Sequence, residues 1–200
     1  MTGSADSPPR RKPGLEPTVE REPLHVRSIE IRGFKRSDGL YDVEGHLVDT
    51  KPYDFKLAAG LRPAGEPIHD MWLRITVDRE LRIVDAAAAM DGMPYVGDCD
   101  RIVPAYRKLV GLAIRPGYTQ KVKELLAGVR GCTHITELAG ALATAAFQTM
   151  AGQRLQPADQ RPFQLDKCHA LEASQPAVAR YYPRWYTGKE PIEAAGEDHH

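Results

Sequence analysis

The chain has 200 residues, 42% of them hydrophobic, with 27 Lys plus Arg balanced by 27 Asp plus Glu. That length suits one domain with a sizeable core, and the zero formal charge excludes a global field drawing the molecule to nucleic acid or an anionic membrane. No apolar stretch approaches the roughly 20 residues of a membrane helix. Three cysteines without a basic-then-apolar leader before them predict reduced thiols in a cytoplasmic protein.

Residues 1–23 hold five prolines (Pro8, Pro9, Pro13, Pro17, Pro23) and almost no large apolar side chains, which predicts a disordered tail. A second, acidic tail is expected over 188–200, and a single domain over 24–187. From Leu24 the pattern turns to period two. Val26, Ile29, Ile31 and Phe34 precede a turn at Ser37-Asp38-Gly39, and Tyr41, Val43, Gly45 and Leu47 then alternate with Asp42, Glu44 and His46, predicting a hairpin.

After a Pro/Gly-rich connection, His69, Met71, Leu73, Ile75 and Val77 share one face, opposite Asp70, Trp72, Arg74 and Thr76. The turn at Asp78-Arg79-Glu80 leads to Leu81, Ile83 and Asp85, a second hairpin. Helical spacing follows in Ile102, Tyr106, Leu109 and Val110, again in Val122, Leu125 and Leu126, and in a third helix from Thr133 to about Met150 rich in Ala and Gly. Gly152 to Pro162 is expected as a loop, and Cys168 to Tyr186 as a short helix with an aromatic extension. Strands first and helices after predict an α+β fold: an antiparallel four-stranded sheet of two hairpins, with three to four helices packed on one face.

The segments Tyr41-Asp-Val-Glu-Gly-His46-Leu-Val-Asp49-Thr-Lys-Pro-Tyr-Asp54, Ala64-Gly-Glu-Pro-Ile-His69-Asp70-Met-Trp-Leu, Arg130-Gly-Cys132-Thr-His134-Ile-Thr-Glu137-Leu and Cys168-His169-Ala-Leu resemble the bacterial domain-of-unknown-function family 2889. The resemblance implies bacterial origin and carries no activity. Asp70 opening a strand hairpin, Gly131-Cys132 opening a small-residue helix, and Cys168-His169 following are also similar, more distantly, to the U-type iron–sulfur scaffold proteins. That likeness departs at Ile68, where the scaffold has its first cysteine, so it points to the place of a site rather than to cluster assembly.

The strongest local candidate is Gly131-Cys132-Thr133-His134-Ile135-Thr136-Glu137. Thr133 can cap the helix, Cys132 lies near free backbone N–H groups whose dipole favours a thiolate, and His134 and Glu137, three apart, can share a helix face. Thiolate, imidazole and carboxylate together suit Zn or Fe, or a Cys nucleophile with a His base. They also suit a capped helix with a buried Cys and a surface pair. His69 shares the inward face of its strand and needs a partner, either a metal or a backbone carbonyl. Cys168 and His169 are further candidate ligands.

Other residues read more plainly. His46 lies on the outward face of its strand, Asp49 and Asp54 flank a turn and could serve as a general base, and Cys99 is expected to enter a helix. Arg180-Tyr-Tyr-Pro-Arg-Trp-Tyr186 is expected to pack its aromatics on the core, with a protein partner as an alternative and nucleic acid disfavoured. Phosphate loops, dinucleotide fingerprints and a serine elbow are absent. The expectation is a Zn- or Fe-binding protein or small metalloenzyme with candidate ligands His69, Cys132, His134, Glu137, Cys168 and His169, and with Cys132, His134 and Glu137 as candidate catalytic groups. A metal-free accessory or binding module and a cofactor-independent Cys/His enzyme remain alternatives, and whether it is an enzyme stays open.

Overall fold

Alternating apolar and polar side chains turn one face of a strand inward, and the computed structural model places that alternation in a sheet packed under a helix. It describes residues 18–152 and 159–188. Most of the tails expected over 1–23 and 188–200, and the centre of the 152–162 loop, lie outside the described residues.

The strands are β1 (Val26–Lys35), β2 (Tyr41–Thr50), β3 (Phe55–Leu57), β4 (Gly60–Arg62), β5 (His69–Val77) and β6 (Ile83–Gly92). Four of them form an antiparallel sheet in the order β1-β2-β5-β6, the two expected hairpins side by side. The β1–β2 turn needs a residue in the left-handed region, and Gly39 supplies it at φ 85°. The connection between hairpins holds a small hairpin of its own, β3 with β4.

Helices α1 (Tyr118–Leu126) and α2 (Thr133–Met150) follow where the spacing predicts them. The segment around Ile102–Val110, expected as a helix, is instead a 3-10 run over Asp100–Leu109 that buries Tyr106 and Leu109. Pro104 sits inside it and removes an amide donor that an α-helix would need. Among the described residues no helix is long and apolar enough to cross a membrane.

Tyr41, Val43 and Leu47 of β2 and Met71, Leu73, Ile75 and Val77 of β5 are buried against Ile135, Leu138, Ala139, Leu142 and Ala146 of α2. Each large side chain so buried contributes about 1.5–3 kcal/mol. Two glycines mark where α2 crosses the sheet. A Cβ on Gly45 of β2 would sit 3.2 Å from both Leu138 Cδ2 and Leu142 Cδ2, and one on Gly33 of β1 would overlap Thr149. The small residues of α2 and these bare strand positions together let the helix lie close to the strands.

The chain divides into two compact units, residues 1–151 and 152–200. The second contains a 3-10 turn at His169–Leu171, α3 (Pro176–Tyr181) and a 3-10 turn at Pro183–Trp185. Asp166, at φ 61°, organises it: its carboxylate pairs with Arg161 and accepts the Ala173 amide at 2.8 Å. Gln164 donates to the Tyr182 hydroxyl at 3.0 Å.

Gly45→Val should force α2 off the sheet and cost about 1–3 kcal/mol despite the better strand propensity of valine. Urea unfolding checks this, and an unchanged midpoint would show that the helix does not need the bare strand at this position.

Candidate functional site

Three strand ends and one helix end meet at a buried carboxylate. Asp49 follows Tyr41, Val43, Gly45 and Leu47 on the helix-facing side of β2, so strand parity carries its side chain inward, to 2% exposure. A charged carboxylate at that depth is costly unless donors surround it.

Three side chains do so, and a fourth approaches. Arg27, opposite Asp49 in the β1–β2 ladder, donates Nε to Oδ1 and Nη2 to Oδ2, each at 2.8 Å. His25 Nε2 lies 2.9 Å from Oδ1. His69, opposite Asp49 on β5, brings Nδ1 to 3.0 Å from Oδ2. His134, in the first turn of α2, brings Nε2 to 3.6 Å from the same oxygen. The His69 and His134 rings stack with centroids 3.7 Å apart and planes tilted by 30°.

Burial pushes the Asp49 carboxyl up, but the hydrogen bonds and charge of Arg27, helped by His25 and His69, outweigh it and hold the group well below the usual carboxylate range. Burial is the main reason that His69 and His134 both titrate below an ordinary imidazole. At neutral pH the two rings are therefore mostly neutral, the form in which histidine binds a metal.

The start of α2 is fixed from below. Gly131 has no room for a side chain, since a Cβ there would sit 2.2 Å from the Leu126 carbonyl oxygen at the end of α1. The fully buried Tyr106 accepts the Cys132 amide at its hydroxyl, which also lies 2.8 Å from the Cys132 carbonyl oxygen and 2.9 Å from the Thr136 hydroxyl. Cys132, rather than the expected Thr133, occupies the cap position, with no side-chain cap bond. Its Sγ lies 3.7 Å from His134 Nδ1. His134 is thus held between a thiol on one ring nitrogen and a carboxylate on the other.

The sequence candidates take different places in this arrangement. His69 and His134 come together at Asp49, and their ligand atoms and a carboxylate oxygen all lie within 4.8 Å of one another. Cys132 meets the far nitrogen of His134. Glu137 accepts Arg27 Nη1 at 2.5 Å and so reaches Asp49 only through that guanidinium. Cys168 and His169 belong to the second unit, where both are exposed beside the His169–Leu171 turn.

His69 meets a carboxylate rather than the backbone carbonyl weighed for it. On the opposite face of the sheet, His46 Nε2 lies 2.6 Å from Asp70 Oδ1, and its ring stacks on Trp72 at 3.7 Å. Asp70, which carries part of the iron–sulfur scaffold likeness, therefore points away from α2. Asp54 accepts the Ala64 amide in a turn, and Cys99 precedes the 3-10 run at Asp100.

Beside Lys51-Pro52-Tyr53, Asp49 reads as a turn residue, and Arg27 and His25 belong to no motif. Parity held the missing signal: Asp49 continues the inward series from Tyr41 to Leu47, and Arg27 continues that of Ile29 and Ile31. A carboxylate and a guanidinium on inward faces of adjacent strands demand each other.

Arg27→Met should cost about 2–3 kcal/mol, less than a fully buried pair because the guanidinium is 30% exposed. A denaturant midpoint equal to that of the wild type would contradict this. Imidazoles held below their ordinary value take up protons less readily in the fold than in the unfolded chain. Stability is therefore full above pH 6.5 and is lost as the pH falls below it. The thermal midpoint should drop on acidification through this range, and a His69→Gln/His134→Gln double variant should flatten the dependence; a midpoint that rises on acidification would have the wrong sign.

No curated protein and no solved structure matches the chain. The family model described as "Protein of unknown function (DUF2889)" matches residues 25–148, which span the whole four-stranded sheet, α1, nearly all of α2 and every group around Asp49. Since the match covers more than half of the sequence, the chain belongs to this family.

Proposed function

We propose that this protein binds a divalent transition metal, zinc or iron(II), through Asp49, His69 and His134. The observation that carries the reading is the convergence of three donor atoms, one buried carboxylate and two imidazoles, within 4.8 Å. Two ligand atoms about 2.0–2.1 Å from a tetrahedral ion lie about 3.3–3.4 Å apart. The separations of 3.0 Å and 3.6 Å from Asp49 Oδ2 to the two histidine nitrogens bracket that value. Two histidines and one carboxylate suit zinc or iron(II) and leave coordination positions open.

Arg27 holds both Asp49 oxygens, Nε on Oδ1 and Nη2 on Oδ2. An ion at Oδ2, the oxygen shared by both candidate ligand histidines, would displace Nη2, while Oδ1 keeps Arg27 Nε and His25. Arg27 then orients the carboxylate, and Cys132 orients His134 from the far side of the ring, in the manner of groups that support metal ligands. A metal with open positions supplies Lewis acidity toward a carbonyl or water, which makes a small metalloenzyme the functional form of this proposal.

The experiment is elemental analysis of untagged protein, with and without zinc or iron(II) supplied, in a background where His199 and His200 are replaced. Near-stoichiometric metal that falls at least tenfold in folded His69→Gln and His134→Gln variants is expected. Protein that folds, takes up neither metal, or binds it equally well in both variants would refute the site.

A second reading rests on the order thiol, imidazole, carboxylate. Cys132 Sγ, His134 Nδ1, His134 Nε2 and Asp49 Oδ2 follow one another with gaps of 3.7 Å and 3.6 Å across the ring, the sequence of groups that a nucleophilic cysteine uses. Alkylation of Cys132 in metal-free protein that is fast at neutral pH and slows in His134→Gln would favour it. Equal rates would count against it.

A further inference from the structure

β1 is an edge of the sheet, ten residues long and paired on one side only, with β2. Its pairing with β2 runs without interruption from Val26 to Lys35. An edge strand that stays unpaired in solution is ordinarily broken by a bulge or proline, shielded by a covering element, or marked by charges that repel a second strand. β1 has neither bulge nor proline, nine of its ten residues are exposed, and Val26, Ile29 and Phe34 are 50%, 40% and 43% exposed. Among the described residues, no backbone hydrogen bond joins residues 26–34 of β1 to anything but β2.

The charges on this strand specify what can pair with it. Ser28, Glu30, Arg32 and Phe34 point to the open face, because their partners on β2 are the outward residues Val48, His46, Glu44 and Asp42. Two copies related by a twofold axis through the sheet would pair β1 antiparallel with itself. Such an axis keeps each side chain on its own face, so the residue numbers in each opposed pair must have an even sum. Glu30 and Arg32 pair within the strand at 2.7 Å, and of the three central registers the one that sets Ile31 opposite itself puts Glu30 opposite Arg32 twice over, joining the two pairs into one alternating group. Shifting it one way sets Glu30 against Glu30, and the other way sets Arg32 against Arg32. Like charges directly opposite destabilise a strand pair and opposite charges support it.

We propose that the exposed edge of β1 is a homodimer interface, pairing antiparallel with β1 of a second copy in the register Ile31 to Ile31 and extending the sheet to eight strands. Ile29 is then set opposite Gly33 on the helix-facing side, and Phe34 opposite Ser28 on the open side, so neither apolar group meets a bulky neighbour. The register also brings Arg27 opposite Lys35. Arg27 is paired with Asp49 and Glu137, which reduces that repulsion. The pairing is independent of metal binding, since it uses the outer edge of β1.

The test is sedimentation velocity of the full chain. The wild type should have twice the 22.2 kDa chain mass. Glu30→Arg and Arg32→Glu, each placing like charges in opposition, should weaken the dimer by about tenfold or more, and the double variant should restore it. Circular dichroism confirms that all four proteins fold, which is expected because both side chains are solvent-exposed. A monomeric wild type, single variants that stay dimeric, or a double variant that does not recover would each overturn the proposal.

Discussion

The structure of the first unit depends on how a carboxylate is kept charged where water does not reach it. Asp49 lies on the buried side of the sheet because the strand alternation that buries Val43 and Leu47 carries it there. A two-toothed arginine bond is among the strong hydrogen-bonded arrangements open to a carboxylate, and Arg27 can form it because β1 and β2 pair with those two residues opposite. The ladder register, the inward faces of two strands and the charge balance of the interior are therefore one constraint. His69 satisfies the third side of the same carboxylate from β5, which ties the centre of the sheet to its edge.

The helix brings the remaining nitrogen. α2 must approach the strands closely and start at a fixed height for His134 to reach Asp49. Gly45 permits the approach, whereas Gly131 and the buried Tyr106 hydroxyl fix the start. The position of His134 follows from these three residues. Arg27 extends the network outward to Glu137, so charges that would each be poorly placed alone are arranged alternately from the interior to the surface. The low-lying protonation of both imidazoles comes from the same burial, and neutral imidazole is what a metal requires.

Much of this fold could be read from residue order, since a period of two and a period of 3.6 are local properties. The alternation from Val26 to Leu47 and from His69 to Ile83 specifies the two hairpins, and the stripe of Ile135, Leu138 and Leu142 specifies α2. The 3-10 run at Asp100–Leu109 escaped because apolar spacing alone does not register the missing amide of Pro104. At the site, His69 and His134 were legible as an inward strand histidine and a helix-start histidine. Their meeting point was not, because it lies on Asp49, which sits beside the turn-like run Lys51-Pro52-Tyr53. Convergence of Cys132, His134 and Glu137 was inferred from helix spacing, which does not say which ring nitrogen faces which neighbour. In the fold, the imidazole stands between the thiol and the buried acid, and the glutamate is taken by an arginine from the sheet.

The most direct test of the account is anomalous diffraction at the zinc edge from crystals of the zinc-treated protein. The account predicts a single strong peak with Asp49 Oδ2 and one nitrogen each of His69 and His134 about 2.0–2.2 Å from the ion, while Arg27 still holds Oδ1. A map with no peak there, and with Arg27 still bonded to both oxygens of Asp49, would contradict it and leave the cluster as a purely structural ion-pair network.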